Sequence, residues 1–195
     1  LLAVVAIGVL LLGQQPDLVP IEPVIEPATG GVYTEGLIGA PLRFNPLLDT
    51  YNPLDRDVDR LLFSGLVRFD DRGLPQADLA DSWGISRDGN VYNFSLRQTA
   101  VWHDGKPVTS DDVIFTIERM REEGSPLAQD LKTFWQSIDV KRLDDKTLQF
   151  RLPEPFAPFL DYLAFGVLPE HLLGDLSLEQ IIDAPFNLAP VGSGP

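Results

Sequence analysis

The segment from Leu79 to Met120 constrains the fold of this chain more than any other, because turns and periodic residues follow one another in it without spare length. Asp88-Gly89 is a tight-turn signal, and the apolar and polar residues that alternate over 92–97 predict a half-buried strand. A second turn at 103–107 combines Gly with Pro, so the chain reverses sharply there.

A helix is predicted directly after this turn. Thr109 and Asp112 have the spacing of a capping box, and acidic residues in a first turn interact favourably with the helix dipole. Val113, Ile117 and Met120 recur on one face. The segment therefore predicts a strand and a helix that are held against each other by short connections.

The same residues resemble the signature of the family 5 extracellular solute-binding proteins, the oligopeptide-, dipeptide- and nickel-binding components of ABC importers. The motifs that carry the resemblance are Leu79-Ala80-Asp81-Ser82-Trp83, Asp88-Gly89, Tyr92-Asn93-Phe94-Ser95-Leu96-Arg97, Trp102-His103-Asp104-Gly105-Lys106-Pro107-Val108-Thr109 and Asp112-Val113. It extends upstream and downstream through Asn45-Pro46, Leu62-Phe63-Ser64-Gly65-Leu66, Leu168-Pro169-Glu170-His171-Leu172-Leu173 and Pro190-Val191-Gly192-Ser193-Gly194-Pro195.

This resemblance implies a mixed α+β fold of the periplasmic-binding-protein type (type II, family 5), in which two lobes close over a ligand. It implies substrate capture in the interlobe cleft without catalysis, with peptides as the commonest ligands in the family. ABC importer permease subunits are the implied partners, and the implied location is extracytoplasmic, in the periplasm or on the outer face of the cell membrane. No cofactor is expected.

The family pattern also suggests a domain division. Residues 31–47 are expected to carry the first strand of the large lobe, with the strand itself over 32–38. Residues 48–189 would form the small domain, and 190–195 would return to the large lobe. Relatives are more than twice as long, so we expect this chain to be an N-terminal fragment that lacks the second lobe.

The N-terminal residues predict a membrane stem. Residues 1–13 are apolar almost throughout and lack an initiating Met, which suggests a truncated signal sequence or anchor. Residues 14–30 hold four prolines among acidic residues, a composition typical of an extended spacer. Because the chain has no cysteine, lipid attachment through one is excluded and an N-terminal anchor is favoured.

Further elements are predicted by local signals. Asn52 caps a helix that begins at Pro53 and carries Val58, Leu61 and Leu62 as its apolar residues. Strands are predicted at 66–69 and, as a hairpin, at 138–143 and 147–152; short helices are predicted at 127–135, 168–173 and 177–182.

Charge and chemistry exclude several classes of function. A formal net charge of -14 argues against nucleic-acid binding through a basic patch. Asp55, Asp57 and Asp59 resemble a calcium loop, but Arg60 and Leu66 occupy its glycine and glutamate positions, so calcium is rejected. No metal ligands accompany His103 or His171, and Ser193 lacks the context of a nucleophile elbow. No enzyme is predicted.

Candidate ligand contacts come from the resemblance. In relatives the loop after the first strand contacts ligand, which implies Thr50, Tyr51 and Asn52 here. The segment that approaches the ligand from the small domain implies Ser125 and Leu127. An aromatic residue with a hydroxyl group can both stack and donate a hydrogen bond, which singles out Tyr51.

Ligand identity stays open at this point, because peptide, sugar and nickel-chelate binders share the N-terminal pattern. Two other functions are also open. One is a truncated, non-transporting module that binds a partner protein, and the other is a hydrolase or metal-dependent enzyme.

Overall fold

A computed structural model describes residues 31–32 and 34–194, and for Tyr51 it describes only the backbone. The described residues from Leu37 onward form one compact unit, and those up to Gly36 belong to a separate unit. The predicted apolar segment and proline-rich spacer, 1–13 and 14–30, lie outside the described residues.

The described part of the chain alternates short helices with antiparallel strands. Its α-helices are α1 (Pro53–Leu62), α2 (Ser110–Arg121), α3 (Gln129–Ser137), α4 (Glu170–Leu173) and α5 (Leu178–Ile182), and 3-10 helices occur at Asp49–Tyr51, Ala157–Leu163 and Pro185–Leu188. The strands are β1 (Val67–Phe69), β2 (Pro75–Ala77), β3 (Ala80–Ile85), β4 (Val91–Leu96), β5 (Asp139–Asp144) and β6 (Thr147–Arg151).

The strands form two antiparallel sheets. β1 and β2 make a small hairpin, and the larger sheet has the order β3-β4-β6-β5. On β4, Tyr92, Phe94 and Leu96 are buried while Asn93 and Ser95 are exposed, which confirms the predicted alternation. The helices and the antiparallel sheet confirm the mixed α+β prediction.

The core lies on the buried face of the large sheet. The ring of Phe150 meets those of Phe94 and Phe159 edge to face, with centroids 5.6 and 5.3 Å apart. Val113 and Ile117 of α2 join the same cluster and are almost completely buried. Aromatic edge-to-face packing adds to the apolar burial that holds helix and sheet together.

The two predicted turns are present, and each uses a glycine at positive φ. Gly89 has φ +74 between β3 and β4, and Gly105 has φ +85 before α2. Residues with a Cβ rarely adopt this conformation, so both positions favour glycine. In the second turn the backbone N–H of Trp102 donates to the carbonyl oxygen of Lys106 at 2.8 Å, which closes the reversal.

The buried carboxyl group of Asp112 joins three parts of the chain. It completes the predicted capping box by accepting from the backbone N–H of Thr109 at 2.7 Å. It also accepts from Trp102 Nε1 at 3.3 Å and from the backbone N–H of Glu170 at 2.8 Å. The start of α2 is thereby fixed to the preceding turn and to the start of α4.

Two predictions about local structure are wrong, one of them in part. Residues 32 and 34–38 form no strand, because they make no ladder hydrogen bonds with described residues, and the side chains of Val32 and Ile38 are exposed. The apolar side predicted for α1 is wrong in part, because Leu62 packs half-buried against the core but Leu61 does not. This helix buries Asp55 and Asp59 instead, whereas Leu61 is 66% exposed.

Most of the other predicted elements are confirmed within one or two residues at their ends. The hairpin of β5 and β6, the cap of α1 by Asn52 and the cap of α5 by Ser177 are all present. Among the described residues, no helix combines the length and apolar character that a membrane crossing requires.

The backbone of residues 64–66 runs directly beside that of residues 163–167. Leu66 N–H donates to the Leu163 carbonyl at 3.1 Å, and Val167 N–H donates to the Ser64 carbonyl at 3.0 Å. A Cβ atom on Gly65 would lie 2.9 Å from the backbone carbon of Ala164 and from the carbonyl oxygen of Phe165. The close approach therefore requires glycine.

We expect Gly65→Ala to lower the free energy of unfolding by about 1–3 kcal/mol, because two backbone segments have to move apart. Urea denaturation measures the loss. Gly84→Ala is the matched control, because a Cβ atom at this glycine of β3 would meet no atom within 4 Å. Equal stability of the two variants would contradict the steric requirement at Gly65.

Candidate functional site

An apolar cavity of about 370 Å³ lies between the 3-10 helix at Asp49–Tyr51, helices α2 and α3, and the segment 161–166. Its lining is dominated by large hydrophobic side chains, with a few polar groups at the edge. The lining residues include Leu47, Thr50, Met120, Leu127, Leu131, Trp135, Asp161 and Tyr162. Cavities of this size and lining are typical of small-ligand sites.

The structure brings two of the five predicted ligand contacts to this cavity. Thr50 and Leu127 both line it, although they are far apart in sequence. The third predicted contact is Tyr51, for which the structure describes only the backbone. As ligand contacts, all five residues stay predictions.

Asn52 and Ser125 do not line the cavity, and their polar groups bind within the protein. Asn52 Oδ1 accepts from Leu54 N–H at 3.2 Å, and its Nδ2 donates to the carbonyl oxygen of Ala40 at 3.1 Å. Ser125 is buried, with Oγ accepting from Leu127 N–H at 3.4 Å. Ser125 thereby helps to set the backbone that carries Leu127.

Trp135 forms a rigid wall of the apolar cavity. Its side chain is fully buried, and its ring meets that of Phe165 edge to face at 5.6 Å. Trp102 is almost equally buried. Trp83 is only half-buried, and its ring stacks on that of Phe94 with centroids 6.1 Å apart.

A second cavity, of about 640 Å³, has a strongly charged lining. It shares Pro46, Asp49 and residues 164–166 with the apolar cavity, so the two adjoin. Its further charged lining residues are Arg56, Asp59, Arg60, Arg68 and Asp78.

Asp59 is the unusual member of this charged cavity. Its residue surface is 2% exposed, and neither carboxyl oxygen has a hydrogen-bond partner by distance and angle among the described residues. Burial, reinforced by the negative charge of Asp49, raises the pKa of Asp59 from 3.8 to about 8. The backbone N–H of Asn45 nearby opposes this shift without reversing it.

The carboxyl group of Asp49 lies at the boundary of both cavities. Burial raises its pKa from 3.8 to about 6, and the positive charges of Arg56 and Arg60 limit the rise.

The buried acidic face of α1 has a signal in the sequence, because Asp55 and Asp59 are spaced by one helical turn. The D-x-D-x-D pattern was tested only as a calcium loop, and so the acidic buried face of α1 was missed.

Both histidines have partners within the described chain. His103 Nδ1 accepts from the backbone N–H of Gly192 at 3.1 Å, and its Nε2 lies 3.1 Å from the carbonyl oxygen of Gly194. His171 Nε2 lies 2.8 Å from Asp104 Oδ2, and this contact holds the pKa of Asp104 below its usual value. No cluster of three or more candidate metal ligands occurs among the described residues.

Ser193 lies in a backbone contact with α1. Its Oγ accepts from Ser64 N–H at 3.1 Å, and its N–H donates to the carbonyl oxygen of Leu62 at 2.9 Å. A Cβ atom on Gly192 would clash with that same oxygen. The Gly-Ser-Gly sequence therefore serves close packing at this position.

Comparison with known proteins gives consistent matches. The family described as bacterial extracellular solute-binding proteins, family 5 Middle, matches residues 75–195. The chain is 31% identical to the oligopeptide-binding protein AppA of Bacillus subtilis over 178 residues, which covers 87% of this chain and 32% of that protein.

Solved structures match over a similar part of the chain. NikZ from Campylobacter jejuni, in complex with Ni(L-His), is 37% identical with a TM-score of 0.68, covering 80% of this chain and 30% of that one. The oligopeptide-binding protein AppA from Bacillus subtilis, in complex with a nonapeptide, has 26% identity and a TM-score of 0.73, with 82% and 32% covered. The chain spans about a third of the length of these relatives.

We expect Asp59→Asn to raise the free energy of unfolding by on the order of 2 kcal/mol at about pH 8, because a buried carboxylate without a partner is costly. The pKa of Asp59 is about 8 in the folded protein, above its ordinary value of 3.8. As the pH falls from the higher value towards the lower one, the carboxyl group becomes protonated and the free-energy penalty of its burial is relieved. The gain from the substitution should therefore shrink towards about pH 4.

Urea denaturation at both pH values tests this expectation. Asp57→Asn is the matched control on the same helix, where the carboxyl is exposed and pairs with Arg60 at 3.8 Å. A gain for Asp59→Asn that does not change with pH would contradict an ionised carboxyl group as the source of the penalty.

Proposed function

Because the chain belongs to family 5 of the bacterial extracellular solute-binding proteins, we propose that it captures a solute outside the cytoplasm for an ABC importer and performs no chemical step. This family assignment confirms the resemblance seen in the sequence. Peptides are the proposed ligands, and the importer's permease subunits are the proposed partners.

The apolar cavity lined by Thr50 and Leu127 carries this proposal. This cavity lies between the segment before α1 and helices α2 and α3, and it is lined mainly by aliphatic and aromatic side chains. A volume of about 370 Å³ suits one or two apolar side chains of a peptide. The surrounding helices are packed into the core, so the cavity is largely preformed.

The domain assignments belong to the same proposal. Residues 48–189 act as the small domain of a two-lobed protein, and 31–47 with 190–195 belong to the large lobe. The apolar N-terminal segment, 1–13, attaches the protein to the membrane, and the spacer 14–30 separates it from the folded part.

The geometry favours a peptide over the other ligand classes considered. Apolar side chains line the cavity, and no three candidate metal ligands cluster within the described ranges 31–32 and 34–194. NikZ, a relative of similar fold, was solved with Ni(L-His), so a nickel chelate is the competing ligand to test.

We expect tri-leucine to bind more tightly than tri-alanine, because its larger side chains bury more apolar surface. Leu127→Asp should weaken tri-leucine binding by about tenfold or more, since a carboxylate would be desolvated at the contact. Isothermal titration calorimetry measures both affinities. Tryptophan fluorescence gives a second readout, to which Trp135 in the cavity wall contributes together with Trp83 and Trp102.

Leu143→Asp is the matched control, because Leu143 is 48% exposed on β5 and does not line the cavity. Equal losses in the two variants would contradict binding in the apolar cavity. Binding of Ni(L-His) without binding of either peptide would overturn the peptide assignment.

A further inference from the structure

The carboxyl group of Asp59 is buried in the charged cavity with little compensation for its negative charge. Its two carboxyl oxygens are buried and accept no hydrogen bond by distance and angle among the described residues. Asp55, one turn earlier on the same buried face, accepts from the backbone N–H groups of Leu42 and Arg43 at 2.9 and 3.0 Å. Burial of a carboxyl group on α1 is thus compensated by hydrogen bonds at Asp55, whereas at Asp59 the backbone N–H of Asn45 offsets it only in part.

The arginines that line the cavity do not form salt bridges with Asp59. Arg60 pairs with Asp57 at 3.8 Å, and the charges of Arg56 and Arg60 act on Asp49 instead. Arg56, Arg60 and Arg68 are all exposed, as expected for groups at the rim.

Asp78, the third acid of the cavity, is already engaged. Its Oδ2 accepts from Gly65 N–H at 3.2 Å, and its Oδ1 lies 3.7 Å from Arg97. Asp49 and Asp59 are therefore the carboxyl groups left to receive a positively charged donor.

We propose that the charged cavity binds an organic cation, with an ammonium or guanidinium group seated against Asp59 and Asp49. Such a group carries both the charge and the N–H donors that buried carboxylate oxygens require. Phe63, Phe69 and Phe165 also line the cavity and offer an apolar surface to the stem of the ligand.

A metal ion fits the cavity less well than an organic cation. A protein site for a hard cation such as calcium or magnesium needs several oxygen ligands that converge on one point. Within the described part of the chain, no three acidic or histidine side chains converge in this way. A cavity of about 640 Å³ also exceeds the space that an ion alone would fill.

This site adjoins the apolar cavity proposed for peptides, with which it shares Asp49, but each cavity also has lining residues of its own. Asp59 lines the charged cavity alone, and Leu127 lines the apolar cavity alone. Leu127→Asp alters only the apolar cavity and Asp59→Asn alters only the charged cavity, so the two proposals can fail independently.

The test uses n-butylguanidinium and its uncharged analogue n-butylurea as probes. We expect the purified protein to bind n-butylguanidinium, and to bind n-butylurea at least about tenfold more weakly because the urea lacks the charge. Asp59→Asn should reduce n-butylguanidinium affinity by about tenfold, whereas Asp57→Asn should leave it unchanged. Isothermal titration calorimetry gives the affinities, and circular dichroism verifies that each variant is folded.

The pH dependence of binding provides a second readout. A cation requires Asp59 ionised, and a guanidinium group stays charged throughout, so affinity should rise from about pH 6 to about pH 9. Asp49, Arg56, Arg60, Arg68 and Asp78 are the other charged groups that line the cavity, and Asp55 and Asp57 are the further acids of α1. The same titration of Asp59→Asn accounts for their contribution.

Three results would overturn the proposal. They are the absence of n-butylguanidinium binding, equal affinity for the two probes, and an Asp59→Asn variant with unchanged affinity. Asp49→Asn serves as a second variant, and it should weaken the cation in the same direction.

Discussion

A single buried carboxyl group, that of Asp112, joins the start of α2 to the turn before it and to the start of α4. Its two oxygens accept from the backbone of Thr109, the indole of Trp102 and the backbone of Glu170, three groups that come from separate stretches of the chain. Burial raises the pKa of Asp112, and these hydrogen bonds oppose the rise. A carboxyl that satisfies several donors at once fixes their geometry more firmly than apolar packing alone, because each lost contact would leave a buried group unpaired.

The contacts around Asp112 continue to the apolar cavity. Thr116, one turn further along α2, donates to the Asp112 carbonyl at 2.7 Å and accepts from Leu168 N–H at 2.9 Å. Thr116 and Met120 both line the apolar cavity. At the other end of α2, Lys132 Nζ donates to the carbonyl oxygens of Glu123 and Ser125 at 3.2 and 3.4 Å, which fixes the connection to α3. The apolar cavity is consequently framed by elements whose positions are set by buried polar contacts.

Local sequence signals predicted the elements but only part of the site. The capping box at Thr109, the turn glycines and the alternation on β4 act over a few residues, and all were readable from the sequence. Thr50 and Leu127 line the same cavity because segments distant in sequence pack together. This arrangement could be expected only through the family resemblance. The buried face of α1 was mispredicted because burial followed the position of the helix in the fold and not its apolar residues.

Asp55, Asp59 and Asp112 are the fully buried acidic residues of the described chain, and they show why Asp59 stands apart. Asp55 and Asp112 each accept backbone hydrogen bonds that repay desolvation and hold distant segments together. Among the described residues, neither carboxyl oxygen of Asp59 has a hydrogen bond of good geometry, and the nearby N–H of Asn45 offsets the cost of its burial only in part. A residue that opposes folding in this way, and that lines a cavity open to small molecules, is better explained by what enters the cavity than by the architecture around it.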